Sequence, residues 1–245
     1  MVGINTVNLP NLNFLFIKVE RMIGFHRPPI IFNVCVTIFG AGPGISQSVA
    51  KTFGKQEFSV ALVSRNSNRL QNFVDELTKE SIVAKSFSGD VANAESLKNT
   101  ISTIKENFES IDVVHYNAAA VKMLNVLNET ADSLTEDFNV NVVGLHTVVL
   151  QTMNELETSK GAILVAGGGL ATNPYSEMAS LFIGKAGVKN LAGSISQALS
   201  SKDIFVGMVT VNGMVSTESE VYSPDNIANQ FWKLYSNRNE FEIQL

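Results

Sequence analysis

The sequence has almost none of the residues that build disulfide frameworks or metal clusters. It contains one cysteine and three histidines in 245 residues, so no internal disulfide can form. The histidines are scattered, and no cysteine–histidine cluster has the spacing of a zinc site. Cys35 lies in the apolar run Val34–Val36, which favours a small buried side chain over a reactive thiol. We therefore expect a protein that binds no metal.

Concentrated positive charge and long apolar runs are also missing. The net charge is −5 and no run of lysine or arginine exceeds two residues, which argues against nucleic acid or a membrane as a partner. The apolar stretches within residues 1–33 are too short and too interrupted to span a bilayer. This region also lacks the basic start and the cleavage site of a secretory signal. We expect residues 1–33 to be an N-terminal extension and the protein to be cytoplasmic.

From residue 34 onwards, short β-rich runs alternate regularly with longer helical patterns. The runs predict strands at Val34–Phe39, Phe58–Val63, Ile82–Phe87, Ile111–Tyr116, Ala162–Ala166, Ile204–Val211 and Glu240–Gln244. Apolar residues at helical spacing predict the intervening helices, including long ones at Leu134–Leu156 and Glu177–Ser200. This alternation requires parallel strands joined by right-handed crossovers. We predict a single α/β domain over residues 34–245, a Rossmann-type doubly wound parallel sheet of about seven strands with helices on both faces.

A glycine-rich turn follows the first predicted strand. The segment Gly40–Ser46 reads GAGPGIS and fits the spacing G-x-x-x-G-x-G, with Ser46 in the last glycine place. Gly40, Gly42 and Gly44 would let the backbone approach a diphosphate, and the helix that opens at Ile45 would offer its free amides to the anion. The turn therefore predicts dinucleotide binding, with a plain tight turn as the alternative.

The end of the second predicted strand carries a signal for the kind of dinucleotide. A site selective for NAD places a carboxylate here, whereas an NADP site places an arginine against the 2′-phosphate. The sequence has Ser64-Arg65, and no acidic residue follows until Asp75. Arg65 therefore favours NADP(H), the alternative being a solvated arginine in a loop.

These residues and several later segments together resemble the short-chain dehydrogenase/reductase family over roughly residues 34–217. The segments that carry the resemblance are Gly89-Asp90-Val91, Asn117-Ala118, Phe138-Asn139-Val140-Asn141 and Asn212-Gly213-Met214-Val215-Ser216-Thr217. The resemblance implies that Asp90 and Val91 flank the adenine and that Asn117 and Ala118 lie along the cofactor. It also implies that Val215 and Thr217 hold the nicotinamide amide, and that Asn141 belongs to the active site. In and beside these segments three positions depart from the family pattern, namely Tyr116, Ala119 and Asn212.

The catalytic groups that the resemblance implies are only partly present. The family transfers a hydride between a nicotinamide and a small carbonyl or alcohol, using a tyrosine as acid, a serine that orients the oxygen, and a lysine. Lys185 matches the lysine, but Leu181 stands at the tyrosine position and Gly168 at the serine position. Neither leucine nor glycine has a side chain that can donate a proton.

Three interpretations of this loss compete. The first is an NADP(H)-dependent oxidoreductase whose acid is displaced to Tyr175, with the triple glycine 167–169 supplying amides to the substrate oxygen. Tyr175 is equally consistent with a lid or packing residue. The second is a catalytically inactive NADP(H)-binding sensor or interaction protein. The third is a purely structural Rossmann-like subunit.

The helix predicted at Glu177–Ser200 is rich in alanine and glycine, which allows another helix to approach closely. In the resembling family this helix packs subunits together, so we expect a homodimer or homotetramer; the alternative is close packing within one subunit. The segment Ser216–Pro224 is short for a substrate loop. We therefore expect a substrate pocket that is open or covered by another subunit.

Overall fold

The central sheet has seven parallel strands in the order β3-β2-β1-β4-β5-β6-β7. The computed structural model describes residues 34–245, and the extension predicted at residues 1–33 lies outside the described residues. The strands are β1 (Cys35–Phe39), β2 (Ser59–Ser64), β3 (Ala84–Ser88), β4 (Val113–Tyr116), β5 (Ala162–Gly168), β6 (Phe205–Val211) and β7 (Glu242–Gln244). The order reverses between β1 and β4, which is where doubly wound sheets bind ligands.

Helices cover both faces of the sheet, as the alternation of apolar patterns predicted. They are α1 (Ile45–Gly54), α2 (Gln71–Lys79), α3 (Ala94–Phe108), α4 (Ala131–Phe138), α5 (Gly144–Ser159), α6 (Ala179–Leu199) and α7 (Pro224–Asn237). Buried residues of α3, α5 and α6 pack on one face, and those of α1, α2 and α7 on the other. Alternate residues of each strand face the two cores; in β1, Cys35 and Phe39 point to one and Val36 and Ile38 to the other. The predicted fold class is therefore confirmed.

Strand β5 is longer than the sequence predicted. The three glycines do not end it at Ala166, because β6 continues alongside and pairs Gly167 with Thr210 and Gly168 with Val211. A Cβ on Gly167 would lie 2.7 Å from the Thr210 hydroxyl oxygen, so this glycine serves close packing between strands. The sequence predicted that the strand ends at Ala166, and the structure extends it through Gly167 and Gly168.

The long helix predicted at Leu134–Leu156 is divided in two. A π-helical segment at Asn139–Val143 separates α4 from α5, and Thr130 caps the start of α4 by accepting a hydrogen bond from the Ser133 amide. The Tyr116 hydroxyl donates to the Val140 carbonyl inside this segment at 2.5 Å. The extra residue in the π turn changes which side chains face inward, a feature common at functional sites.

Cys35, the one cysteine of the sequence, lies in β1. Cys35 is fully buried, and burial raises its pKa to about 12, in agreement with the prediction of an inert buried side chain.

Among residues 34–245, no helix is both long and apolar enough to cross a membrane.

His115 is a buried titratable group in the middle of β4. It is fully inaccessible to solvent, neither ring nitrogen has a hydrogen-bond partner in the described part of the chain, and the ring packs edge-on against Phe231 at 4.6 Å. Burial, with the charge of Lys185 as a smaller cause, lowers the pKa of His115 to about 3. The folded protein therefore excludes a proton that the unfolded chain binds below pH 6.5.

Stability should therefore fall as the pH decreases from 6.5 towards 3, by about 1.4 kcal/mol per pH unit from this residue alone. The substitution His115→Leu removes this titrating group, so the dependence of the free energy of unfolding on pH should weaken by the contribution of one proton. Urea unfolding at a series of pH values measures the effect, and His146→Leu is the control because His146 is exposed. Equal slopes in His115→Leu and the parent would contradict this assignment.

Candidate active site

The glycine turn lies at the switch point and is held by both neighbouring strands. Gly40 adopts a left-handed conformation, with φ of +81°, and its amide and that of Ala41 donate to the Val63 carbonyl of β2. A Cβ on Gly40 would overlap the backbone of Ala118, which follows β4. Gly40 is therefore required by the contact between two protein segments, whereas the sequence pattern assigned it to a cofactor.

The next two glycines of the turn face open space. A Cβ on Gly42 or Gly44 would meet no heavy atom of residues 34–245 within 4 Å, and Gly44 has φ of +85°. Gly44 precedes Ile45, the first residue of α1, and no side chain caps this helix or places an acid in its first turn. The free amides and positive end of the helix dipole thus meet an uncrowded surface suited to an anion. The structure fits a diphosphate at this place.

Ser46 connects the turn to the loop after β4. Its buried hydroxyl donates to the Gly40 carbonyl at 3.1 Å and accepts from the Asn117 side-chain amide at 2.8 Å. The Asn117 backbone amide also donates to the Phe39 carbonyl. The sequence pattern indicated only that serine could stand in the place of a glycine. The link to Asn117 was not predicted, because it joins two turns that are distant in the sequence.

Arg65 lies at the carboxyl end of β2 with its side chain exposed. The backbone around it is fixed, because Ser64 donates through its hydroxyl to the Asn66 carbonyl at 3.0 Å and the Ser88 hydroxyl donates to the Arg65 carbonyl at 3.4 Å. The guanidinium makes no hydrogen bond or ion pair with residues 34–245. An arginine in this state is available to an anionic group from outside the chain.

Asp90 and Val91 follow β3 in a tight turn. The Asp90 carboxylate accepts from the Ala92 amide at 3.0 Å, and its own amide donates to the Ser96 hydroxyl. Val91 is largely buried and lies against Gly144 at the start of α5. The turn is therefore rigid at the place where the resemblance puts the adenine.

Asn141 is positioned by the π-helical segment and is almost fully buried. Its side-chain oxygen accepts from the Ala120 amide at 2.8 Å, and its side-chain nitrogen has no partner among the described residues. Gly184 of α6 lies directly against it, since a Cβ there would be 2.5 Å from that nitrogen. Asn141 thus links the loop after β4 to α6.

Lys185 projects from α6 towards β5. Its ammonium donates to the Ala166 carbonyl at 2.9 Å and makes no ion pair within the described residues. The side chain as a whole is half-buried, and burial of the ammonium lowers the pKa of Lys185 to about 8. The lysine remains mostly protonated at pH 7 but gives up its proton more readily than an exposed lysine.

The two positions beside Lys185 that lack hydroxyls differ in the space they leave. Leu181 is buried, one helical turn before the lysine. At Gly168 a Cβ would meet only ordinary contacts, at 3.8 Å from the Val211 carbonyl oxygen and 4.0 Å from both Lys185 Cδ and Leu170 Cγ. The glycine therefore leaves room for a side chain, and the leucine fills its own place with apolar atoms.

Tyr175 lies on the wall of an apolar cavity. Its ring is about half-exposed and is tilted against Phe182 at 5.8 Å between centroids. Lys185 is not among the residues that line this cavity. This placement favours the packing interpretation of Tyr175 over its interpretation as the acid.

The loop after β6 carries Val215 and Thr217, both exposed. The loop closes on itself, because the Ser216 amide donates to the Tyr222 carbonyl and the Tyr222 ring covers Gly213. Asn212 stands where the family pattern has proline, and its amide donates to the Leu245 carbonyl at 3.0 Å. Proline has no such amide, so this departure serves the pairing of β6 with the C-terminal segment.

No group of three or more metal-ligating side chains converges within residues 34–245. The topology and the glycine turn at the switch point define a Rossmann-type α/β protein. Residues 34–227 match the family model of the short chain dehydrogenases. The chain therefore belongs to the short-chain dehydrogenase/reductase family, whose members are oxidoreductases that bind a nicotinamide cofactor.

Individual relatives are distant. An uncharacterized oxidoreductase of Staphylococcus aureus (strain MW2) is 25% identical over 201 residues, 80% of this chain and 85% of the relative. A 17-beta-hydroxysteroid dehydrogenase 13 of Mus musculus is 28% identical over 133 residues, 53% of this chain and 44% of the relative. A metagenomic short-chain oxidoreductase in complex with NADP shares the fold, with a TM-score of 0.78, 19% identity, and coverage of 87% of this chain and 96% of that one. An alcohol dehydrogenase of Thermococcus sibiricus complexed with 5-hydroxy-NADP gives a TM-score of 0.76 at 19% identity, covering 87% and 96%.

The different surroundings of the first two glycines lead to a test of the turn. Gly40→Ala should lower the free energy of unfolding by roughly 1–3 kcal/mol for the left-handed backbone, with a further loss from the overlap with Ala118. Gly42→Ala should change it by less than about 0.5 kcal/mol, because its Cβ enters open space. Urea unfolding of both variants checks this, and equal losses would show that the two positions are equivalent.

Proposed function

We propose that this protein is an NADP(H)-dependent oxidoreductase that transfers a hydride to or from a small carbonyl or alcohol substrate. The observation that carries the proposal is the combination of an uncrowded helix terminus at Gly42 and Gly44 with the guanidinium of Arg65, which has no partner within residues 34–245. An anion-binding terminus and a separate cation at the end of β2 suit a dinucleotide with an additional phosphate. The two structural neighbours solved with NADP and 5-hydroxy-NADP support the choice of cofactor.

Different segments of the site would bind different parts of this cofactor. The Gly40–Ile45 turn would hold the diphosphate, Ser64 and Arg65 the 2′-phosphate, and Asp90 with Val91 the adenine. The loop containing Asn117 and Ala118 would run along the cofactor. Val215 and Thr217 would hold the nicotinamide amide and Lys185 the adjoining ribose. When bound, NADP(H) supplies or accepts the hydride.

With no hydroxyl at positions 168 and 181, another side chain would have to supply the proton. A carbonyl that receives a hydride becomes an alkoxide and needs a proton from a positioned acid. Lys185 carries a proton at pH 7 and holds it next to the Ala166 carbonyl, with Asn141 packed against the same helix. Tyr175 remains the other candidate acid, at the wall of the neighbouring cavity.

A second candidate function is a catalytically inactive NADP(H)-binding sensor or interaction protein. The observation that favours it is the absence of a hydroxyl at both Leu181 and Gly168, beside a binding turn that is complete. Binding of NADPH without hydride transfer to any carbonyl would identify this function.

We also propose that the protein is cytoplasmic and forms a homodimer or homotetramer. Phe138, Val143, Leu150 and Ile183 are exposed apolar residues on or next to α4, α5 and α6. A surface of this kind is typical of a protein interface. No nucleic acid or membrane partner is proposed, in keeping with the net charge of −5.

Cofactor selectivity gives a direct test. Arg65→Gln should weaken NADPH binding about 10- to 100-fold, the loss expected for a hydrogen-bonded charge worth about 1.5–3 kcal/mol, and leave NADH binding unchanged. Calorimetric titration measures both affinities. Lys79→Gln removes one exposed positive charge elsewhere and controls for net charge. An equal loss for both cofactors would rule out the role of Arg65 at the 2′-phosphate.

The missing hydroxyls give a second test. The double variant Gly168→Ser with Leu181→Tyr should raise the rate of NADPH oxidation against a carbonyl panel by about 100-fold or more, because a positioned general acid contributes about that much. The matched control combines Gly168→Ser with Leu181→Phe, which introduces the same ring without its hydroxyl. Equal rates for the tyrosine and phenylalanine variants would show that proton donation at position 181 does not limit the reaction.

A further inference from the structure

Tyr116 extends from the end of β4 to the π-helical segment through the core of the protein. Its side chain is 1% exposed, and its hydroxyl donates to the Val140 carbonyl at 2.5 Å. Burial raises the pKa of this hydroxyl, and the charge of Asp90 adds to the effect, so the group stays protonated and remains a donor. Because Tyr116 departs from the family pattern, the resemblance does not explain this contact.

The hydroxyl takes the place of a backbone donor. In a regular α-helix the Gly144 amide would donate to the carbonyl of Val140, four residues earlier. In the π turn this amide donates instead to the carbonyl of Asn139, five residues earlier. The Tyr116 hydroxyl supplies the Val140 carbonyl with a donor in this geometry. The side chain of Tyr116 therefore favours the π turn over an α turn at this position.

Gly144, the first residue of α5, lies where the tyrosine meets the turn after β3. A Cβ on Gly144 would be 2.5 Å from the Tyr116 hydroxyl oxygen, 2.9 Å from the Val91 carbonyl oxygen and 3.1 Å from the Val91 Cβ. No side chain fits at this position without moving one of these groups. The turn assigned to the adenine is therefore in contact with the hydroxyl that holds the π turn.

Asn141 lies inside the π turn, directly after Val140. Its side-chain oxygen accepts from the Ala120 amide at 2.8 Å, and its side-chain nitrogen lies against Gly184 of α6. A change from the π turn to an α turn removes one residue from the turn, which rotates the flanking segments by about 100° relative to each other. The hydrogen bond between Ala120 and Asn141 therefore depends on the π turn.

We propose that Tyr116 is a positioning residue that couples the adenine end of the cofactor site to Asn141. The turn at Val91, the Tyr116 hydroxyl and the π segment form one contiguous set of contacts, and the segment has two discrete arrangements, the π turn and the α turn. A ligand that holds Val91 in place favours the π turn, and the π turn keeps Asn141 bonded to Ala120. This inference rests on the proposed function and adds a regulation of the same site.

The first test follows amide hydrogen exchange in the full-length protein by NMR. Tyr116→Phe keeps the ring and removes the hydroxyl, and it should accelerate exchange of the Ala120 amide about tenfold, the effect expected when a buried acceptor loses its donor. Tyr235→Phe, which removes a hydroxyl from a partly buried ring of α7, should leave that rate unchanged. The reference is the Asn226 amide, which donates to the Ser223 hydroxyl at 3.3 Å. Equal acceleration at both amides would show a general loss of stability and overturn the inference.

A second variant disturbs the same contact from the helix side. The methyl group of Gly144→Ala would overlap the Tyr116 hydroxyl and displace it from the Val140 carbonyl. Alanine is a better helix former than glycine, so an effect on helix stability alone would slow exchange. Loss of the π turn should instead accelerate exchange of the Ala120 amide about tenfold, as in Tyr116→Phe. Slower or unchanged exchange in Gly144→Ala would contradict the proposed role of the hydroxyl.

Adenosine 2′,5′-bisphosphate tests the coupling itself, because it carries the adenine and the 2′-phosphate but no nicotinamide. Saturation of the parent protein with this compound should slow exchange of the Ala120 amide at least about fivefold, the lower end of typical coupling between sites. In Tyr116→Phe the compound should still bind, and the slowing should be lost. Saturation without slowing in the parent, or equal slowing in both proteins, would overturn the inference and leave the proposed function intact. Absence of saturable binding would instead refute the proposed cofactor, and the inference that rests on it would fail as well.

Discussion

The site depends on the close approach of two backbone segments at the switch point of the sheet. Gly40 lies so near Ala118 that no side chain fits between them, and Ser46 joins the same two segments by hydrogen bonds to the Gly40 carbonyl and from Asn117. This contact fixes the direction in which α1 begins. Because α1 begins at a fixed place with its amides uncapped, Gly42 and Gly44 face open space. The anion-binding surface at the start of α1 therefore follows from the contact between the segments that come directly after β1 and β4.

The other side of the site is organised around Lys185, which has no counter-ion among residues 34–245. Lys185 is held by one carbonyl, while Leu181 and Gly168 offer it neither charge nor hydroxyl. Burial without compensation destabilises the charged form, which is why the pKa of Lys185 is lowered to about 8. The missing side chain at Gly168 leaves room there for a Cβ, which would lie 4.0 Å from Lys185 Cδ.

Several departures from the family pattern are accommodated by specific contacts. Tyr116 uses its hydroxyl to hold the Val140 carbonyl in the π-helical segment, and that segment places Asn141 against α6. Asn212 supplies an amide to the Leu245 carbonyl that proline lacks. These substitutions change hydrogen bonding at the edge of the site and leave the strand order intact. Their effect lies in positioning, since neither side chain is among the groups assigned to proton transfer.

The sequence by itself determined the fold class, the location of the glycine turn, the arginine after β2 and the absence of hydroxyls at positions 168 and 181. These are local properties, because strand runs, glycine spacing and residue identity are written in contiguous stretches of chain. Only the tertiary structure decided that Gly40 lies against the Ala118 backbone, that β5 continues through two glycines beside β6, and that a π turn divides the long helix. It alone also placed Tyr175 in the wall of an apolar cavity and showed that a Cβ would fit at Gly168. Each of these features depends on segments that are distant in the sequence and lie within a few ångströms of each other in the fold. The pattern of residues within one segment does not show which other segment will pack against it.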